Sequence, residues 1–289
     1  MIDSQSAAAS GTFMIGGDLP VVRLGFGAMQ LTGTGVWGSP RDHDECIRVL
    51  KRTVELGVNL IDTANSYGPH ISEQLIAEAL YPYPEGLVIA TKAGLTRTGP
   101  NQWHPRGEPA YLRSCLEASL RRLKRETIDV YQLHRIDSHY PLEDQLGVFA
   151  EAREQGKVRY VGLSEVNGEQ LAAAQKIVPI ATVQNRYNLA DREWESMVDE
   201  CERQNIGFIP WFPLATGDLA RPGSPLDKIA AARGVAPSQI ALAWLLQRSP
   251  AMLPIPGTSK VAHLEENVAA AIIRLTEAES HKLDALAAP

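Results

Sequence analysis

Side chains of four different chemistries fall where short apolar runs end. Val58-Asn59-Leu60-Ile61 leads into Asp62, and Tyr67 follows five residues later within "NLIDTANSYG" (59–68). Lys92 closes "LVIATK", and His134 closes "DVYQLH". A lysine at the mouth of a packed sheet is costly to desolvate unless a carboxylate pairs with it, and Asp62 is the natural partner. An ammonium beside a phenol favours the phenolate, so Lys92 is expected to lower the Tyr67 pKa from its usual ~10 toward working pH. Tyr67 then acts as a general acid, and His134 donates a hydrogen bond to the same substrate oxygen. Acting together, the four groups polarise and protonate a carbonyl oxygen. Alone, each has a plainer reading: a turn or helix-capping aspartate, a salt-bridged lysine, a core histidine. What favours chemistry is their recurrence at successive strand ends in one register.

The elements that must position them alternate along the chain. Strands are expected at 24–30, 58–64, 87–94, 129–135, 158–165, 180–188, 206–213 and 252–259. Amphipathic helices are expected between and after them, at 41–56, 72–80, 109–123, 142–155, 168–177, 192–204, 237–247 and 261–270. Eight such units imply parallel strands joined by right-handed crossovers and closed on themselves, a (β/α)8 barrel of the α/β class. A doubly wound sheet is disfavoured because no GxGxxG follows the first strand. Outside the repeat, "TFMIGGDLPVVRL" (12–24) reads as a hairpin placed to plug the barrel's N-terminal end, and 276–286 as an extra C-terminal helix with a Thr276/Glu279 capping box. One domain spans 1–289, with 1–11 expected as a frayed tail.

In such a barrel the C-terminal strand ends share one mouth. They carry Asp62, Lys92, His134, Ser164-Glu165, Gln184-Asn185, Trp211 and Gly257-Thr258-Ser259. The Gly-rich segments 32–38 and 96–107 follow strands and are expected as loops walling a substrate pocket, with Met29, Trp37 and Trp103 as substrate contacts.

Bulk properties exclude several classes. The 289 residues carry a net charge of −6, and the basic cluster at 121–125 reads as a solvated helix end, so no nucleic-acid partner is expected. Three scattered cysteines suggest a reducing compartment. The N-terminus lacks a signal-peptide pattern, and no window approaches the ~18 apolar residues of a membrane span. A soluble cytoplasmic protein with no membrane partner is expected. His43, His70, His104, His139, His263 and His281 form no HxH or HExxH pattern, so no metal site is expected.

The ordered set "NLIDTANSYG", "ATKAG", "YQLHR", "GLSE", "VQNRYN" and "IPGTSKVAHLEEN" resembles the motifs of aldo-keto reductases from about Arg23 to Asn267. Within that family the chain is similar to bacterial reductases of small aldehydes, the pyridoxal reductase group. The resemblance implies hydride transfer from NADPH, with NADH as the alternative, to a small carbonyl substrate. Asp62, Tyr67, Lys92 and His134 match the family's catalytic positions. It further implies that Ser164, residue 165 and Gln184 bind the nicotinamide amide and that Trp211 stacks on its ring. Phe212, Pro213, Leu214, Gly217 and Leu219, within "FPLATGDL", would cover the pyrophosphate. Gly257, Thr258, Ser259, Lys260 and His263 would surround the 2′-phosphate at a helix start, and Glu266 and Asn267 would contact the adenine. Glu165 replaces the family's usual Asn, and a carboxylate cannot donate to an amide oxygen. Gly257 and His263 stand where many members have Lys and Arg. Two alternatives are a cofactor-sensing subunit of a larger assembly, against which the intact tetrad weighs, and a metal-dependent hydrolase, which lacks ligand spacing.

Overall fold

The computed structural model describes residues 6–214 and 221–287. Near the start, Ala7–Ser10 forms a 3-10 turn rather than a frayed tail. Ala7 and Ser10 are buried, Ala7 N donates to Leu56 O, and Ser10 Oγ accepts from Leu24 N.

The hairpin follows as β1 (Thr12–Ile15) and β2 (Leu19–Val22), paired antiparallel and turned through Gly16 and Gly17 at positive φ. Its alternation puts Phe13, Ile15, Leu19 and Val21 on one face. They bury against Leu60, Val88, Val130, Ala181 and Leu253, contributed by staves around the ring, and so floor its interior.

Seven parallel strands curl in the order β11-β10-β9-β8-β5-β4-β3. They are β3 (Phe26–Gly27), β4 (Leu60–Asp62), β5 (Val88–Ala93), β8 (Ile128–Leu133), β9 (Val158–Ser164), β10 (Ile180–Gln184) and β11 (Gly207–Phe208). The expected eighth strand is present only as a stave. Met252 bridges Phe208, Leu253 N donates to Phe208 O, and Gly25 N and Gly27 N donate to Pro254 O and Pro256 O. The regular ladder fails because Pro254 and Pro256, facing β3, have no N–H to give. The cylinder is closed by carbonyls alone on that side.

Helices α1 (His43–Glu55), α2 (Ile71–Leu80), α3 (Pro109–Arg122), α4 (Leu142–Glu154), α5 (Gly168–Gln175), α6 (Glu195–Gln204), α8 (Pro237–Arg248) and α9 (Val261–Ala269) occupy the expected stretches within a few residues. In α1, Asp42 caps the Glu45 N–H and a stripe of Cys46, Val49, Leu50 and Thr53 is buried. Helix α10 (Glu277–Asp284) starts with the Thr276/Glu279 capping box. Two elements were not expected. Helix α7 (Pro225–Arg233) has Ser224 as its cap and Gly234 beyond its end. A second hairpin, β6 (Leu95–Gly99) with β7 (Gln102–Pro105), stands where a loop was expected.

Candidate active site

The fold brings Asp62, Tyr67, Lys92 and His134 to one mouth. Asp62 is the last residue of β4 and Lys92 lies on β5, whose register pairs Asp62 with Ala90. Lys92 is fully buried. Its Nζ donates to Asp62 Oδ2 at 2.6 Å, Thr63 O at 2.7 Å and Tyr67 Oη at 3.5 Å. An ammonium has three donors and no acceptor, so all three are engaged and Tyr67 must accept. Its own proton therefore points away from Lys92.

Burial alone would lower the Lys92 pKa; the Asp62 carboxylate and the Tyr67 hydroxyl outweigh it, and the net direction is up. Tyr67 departs from the sequence expectation. Its pKa is raised, because burial of the ring and hydroxyl outweighs the nearby ammonium. The phenol keeps its proton at working pH, which suits a general acid better than the expected phenolate.

His134, just past β8, is held well below its usual pKa, first by burial and then by Lys92, Arg135 and Arg97. It is a neutral imidazole. Ser66 Oγ lies 3.4 Å from Nδ1. If the hydroxyl donates there, the imidazole carries its proton on Nε2.

Asp62 Oδ1 accepts from Gln132 Nε2 at 3.2 Å and Gln184 Nε2 at 2.8 Å. This fixes the Gln184 amide, because only its NH2 end can face a carboxylate. Its carbonyl is left to face the cavity. Ser164, register partner of Gln184, accepts from Arg135 Nη1 at 3.0 Å, which leaves the Ser164 hydroxyl proton to give. One donor beside one acceptor is the complement of a primary carboxamide.

Glu165, expected on that carboxamide, lies elsewhere. Its backbone is left-handed (φ 56°), and its Oε1 accepts from Trp211 Nε1 at 2.6 Å and Arg186 N at 2.7 Å. The carboxylate orients the Trp211 indole instead of touching the cavity.

A cavity of about 620 Å³ opens onto these groups. Asp62, Tyr67, His134, Ser164, Gln184, Trp211, Phe212, Pro213, Leu214, Gly257, Met29 and Trp103 line it, as expected. Trp37 does not. Gly35 and Val36 both take positive φ, so Val36 faces the cavity while the Trp37 ring packs on Arg97. Thr258, Ser259, Lys260, His263, Glu266 and Asn267 lie beyond its wall, and Gly217 and Leu219 fall outside the described residues. A Cβ on Gly257 would sit 2.7 Å from Gly27 O, so no lysine fits there. At the start of α9 the Val261 N–H is already taken by Glu45 Oε1 at 3.0 Å, and Glu266 is engaged with Ser238.

Arg97 and Arg135 were not singled out in the sequence. Arg97 gives Nε to Gln102 O, Nη1 to Val36 O and Ser66 O, and Nη2 to Gly35 O and Gly99 O. Its guanidinium lies 3.5 Å from the Trp103 ring centre, and Trp103 stands edge-on to Tyr67. One cation thus ties the β3 loop, the β6–β7 hairpin and the Tyr67 segment together. Arg97→Met is expected to cost about 1.5–3 kcal/mol, the range for hydrogen bonds to a charged group. It should also speed amide hydrogen exchange selectively at 33–38 and 99–103. Uniform exchange across the chain in that variant would contradict the clip.

Residues 23–288 match the model of the aldo/keto reductase family. The chain is 53% identical over 278 residues to an uncharacterized oxidoreductase of Schizosaccharomyces pombe, covering 96% of this chain and 90% of that one. It is 46% identical over 284 residues to the pyridoxine 4-dehydrogenase of Escherichia coli K12, covering 96% and 99%. A crystal structure of an aldo-keto reductase from Klebsiella pneumoniae in complex with NADPH superposes with a TM-score of 0.82 at 26% identity, covering 95% and 94%.

Proposed function

The chain belongs to the aldo/keto reductase family, and from that premise we propose that it reduces small aldehydes, aromatic ones such as pyridoxal among them, to alcohols with NADPH and Tyr67 as the acid. The observation that carries this reading is the Tyr67 hydroxyl, held as an acceptor by Lys92 with its proton left for the cavity.

The residues present fit the cofactor. The Ser164 hydroxyl and the Gln184 carbonyl complement a nicotinamide carboxamide, and Trp211, braced by Glu165, offers an indole face. When bound, NADPH supplies a hydride for the carbonyl carbon. The Tyr67 O–H proton goes to the carbonyl oxygen, giving the alcohol. The phenolate left behind is stabilised by the Lys92 ammonium until it is reprotonated from water. Asp62 keeps that ammonium charged, and neutral His134 donates from Nε2 to the same oxygen.

The start of α9 beside Lys260 would hold the 2′-phosphate of NADPH. Glu45 lies on that helix start as a competing anion. The test is consumption of reduced nicotinamide with a panel of aldehydes, ketones and pyridoxal, combined with tryptophan-fluorescence titrations of NADPH and NADH. Turnover of activated aldehydes and tighter NADPH binding are expected. Glu45→Gln should improve NADPH over NADH a further roughly three-fold, the scale of one partly exposed charge. Tight cofactor binding with no turnover on the whole panel would favour the sensor reading. Equal affinities for the two dinucleotides would remove the 2′-phosphate assignment.

A further inference from the structure

Three half-buried arginines near the barrel ends have no carboxylate partner among the described residues: Arg23, Arg97 and Arg135. They differ in what their donors do. Arg97 gives all five N–H groups to backbone carbonyls, and Arg23 uses Nε and both terminal nitrogens in the same way. Those two are structural clips. Arg135 gives only Nη1, to His134 O at 2.6 Å and Ser164 Oγ at 3.0 Å. Its Nε and Nη2 have no hydrogen-bond partner among the described residues, and it lines the cavity.

Glu165 acts on Arg135 through space, but no carboxylate among the described residues pairs with it directly. Asp62 is paired with Lys92, and Glu165 Oε1 accepts from Trp211 Nε1 and Arg186 N. The cavity that Arg135 lines has apolar walls from Trp103, Trp211, Leu95 and Ile255, with Gln30 and Asn101 as neutral polar groups. Nη1 also anchors the guanidinium plane to the segment that carries His134. A fixed, partly desolvated guanidinium with one edge open is the partner of a planar oxyanion.

We propose that Arg135 binds an anionic substituent, a carboxylate or a phosphate, on the aldehyde substrate, so that the preferred substrates are anionic aromatic aldehydes. This rests on the carbonyl-reductase reading of the cavity. It assigns the open edge of Arg135 to the substrate and not to the dinucleotide.

The test compares isosteres. 4-Formylbenzoate and 3-formylbenzoate are assayed against the corresponding formylbenzamides, and pyridoxal 5′-phosphate against pyridoxal, all with saturating NADPH. Carboxylates are expected to exceed amides in kcat/KM by roughly 10- to 100-fold, the value of a charge-assisted hydrogen bond. The carboxylate withdraws electrons less than the amide, so such a preference does not come from carbonyl reactivity. A preference confined to pyridoxal 5′-phosphate would identify phosphate as the group bound. In Arg135→Met the ratio collapses toward one, and Arg135→Lys restores part of it.

Two controls separate the failures. Titration of the NADP⁺-loaded protein with 4-(hydroxymethyl)benzoate and with benzyl alcohol, followed by tryptophan fluorescence, reads anion selectivity without turnover. If no aldehyde is reduced but the carboxylate binds selectively, the reductase reading fails and the anion site stands. Equal kcat/KM for anionic and neutral isosteres in the wild type overturns the proposal. So does a tenfold loss of NADPH affinity in Arg135→Met with the substrate ratio unchanged, which would give the guanidinium to the cofactor.

Discussion

Tyr67→Phe is expected to lower aldehyde reduction by roughly 10²- to 10⁴-fold, the contribution of a positioned general acid, while NADPH still quenches tryptophan fluorescence. The substitution removes one oxygen and keeps the ring that packs edge-on against Trp103 and His134. Lys92 retains Asp62 and the Thr63 carbonyl. The loss should therefore fall on kcat, without unfolding. The pH profile carries a second part of this prediction. Burial holds the Tyr67 pKa above its ordinary 10.0 against the pull of Lys92. In the reducing direction the acid form is needed, so the rate should persist to above pH 10. In the oxidising direction the phenolate is the base, so alcohol oxidation should climb with pH across the same range. A reduction rate that halves near neutral pH through a tyrosine-linked ionisation would contradict this account. Near-wild-type turnover in Tyr67→Phe would remove Tyr67 from the chemistry.

Lys92→Met should be the most destabilising single change at the site. It leaves the Asp62 carboxylate buried with only two amide donors, from Gln132 and Gln184. Removing one partner of a buried ion pair costs about 3–5 kcal/mol, measurable by urea unfolding. Adding Asp62→Asn to Lys92→Met neutralises the orphaned charge and should recover at least half of that loss. Activity should stay lost in both variants, because the phenolate formed at Tyr67 then lacks its counter-charge. A double variant as unstable as the single one would mean that the cost comes from packing around the methionine.

His134 adds a pH limit of another kind. Its folded pKa lies below the ordinary 6.5, so below that pH the unfolded chain binds a proton that the folded one refuses. Stability from this group is present above about pH 6.5 and declines as the pH falls beneath it.

How much of this was legible in the sequence depended on whether a signal was local. The repeat of strand and helix could be read because each unit carries its own periodicity and ends, as with Asp42 before α1 or Thr276 before α10. The four reactive residues could be read because each closes a short apolar run or follows one closely. The β6–β7 hairpin leaves little signal in the sequence, because "LTRTG" and "QWHP" lack a clean apolar alternation and most of their side chains are at least partly exposed. Helix α7 did have its signals, with Ser224 and Pro225 at its start and Gly234 after its end. It stands outside the eightfold alternation, which already has a helix for each strand.

Other features had no local trace. Glu45 caps a helix start 216 positions away, and Arg97 reaches carbonyls 61 and 62 positions distant. The raised Tyr67 pKa departs from the sequence expectation because the sequence shows the neighbouring charge and not the depth of burial. Arg135 sits beside His134 in "LHR", yet nothing in the chain tells that its outer edge lacks a partner.

The saturation of Lys92 has a consequence for the molecule's own survival. Free aldehydes condense with amines, and the Lys92 amine lies one hydrogen bond behind the Tyr67 hydroxyl that lines the cavity. Condensation requires the nitrogen lone pair, and a lysine offers one only when its pKa is depressed. Lys92 is driven the other way, with every N–H directed at an oxygen and no face open to an incoming carbonyl. The same three contacts that ready Tyr67 keep this amine from imine formation, so an electrophile can visit the site without being trapped on it.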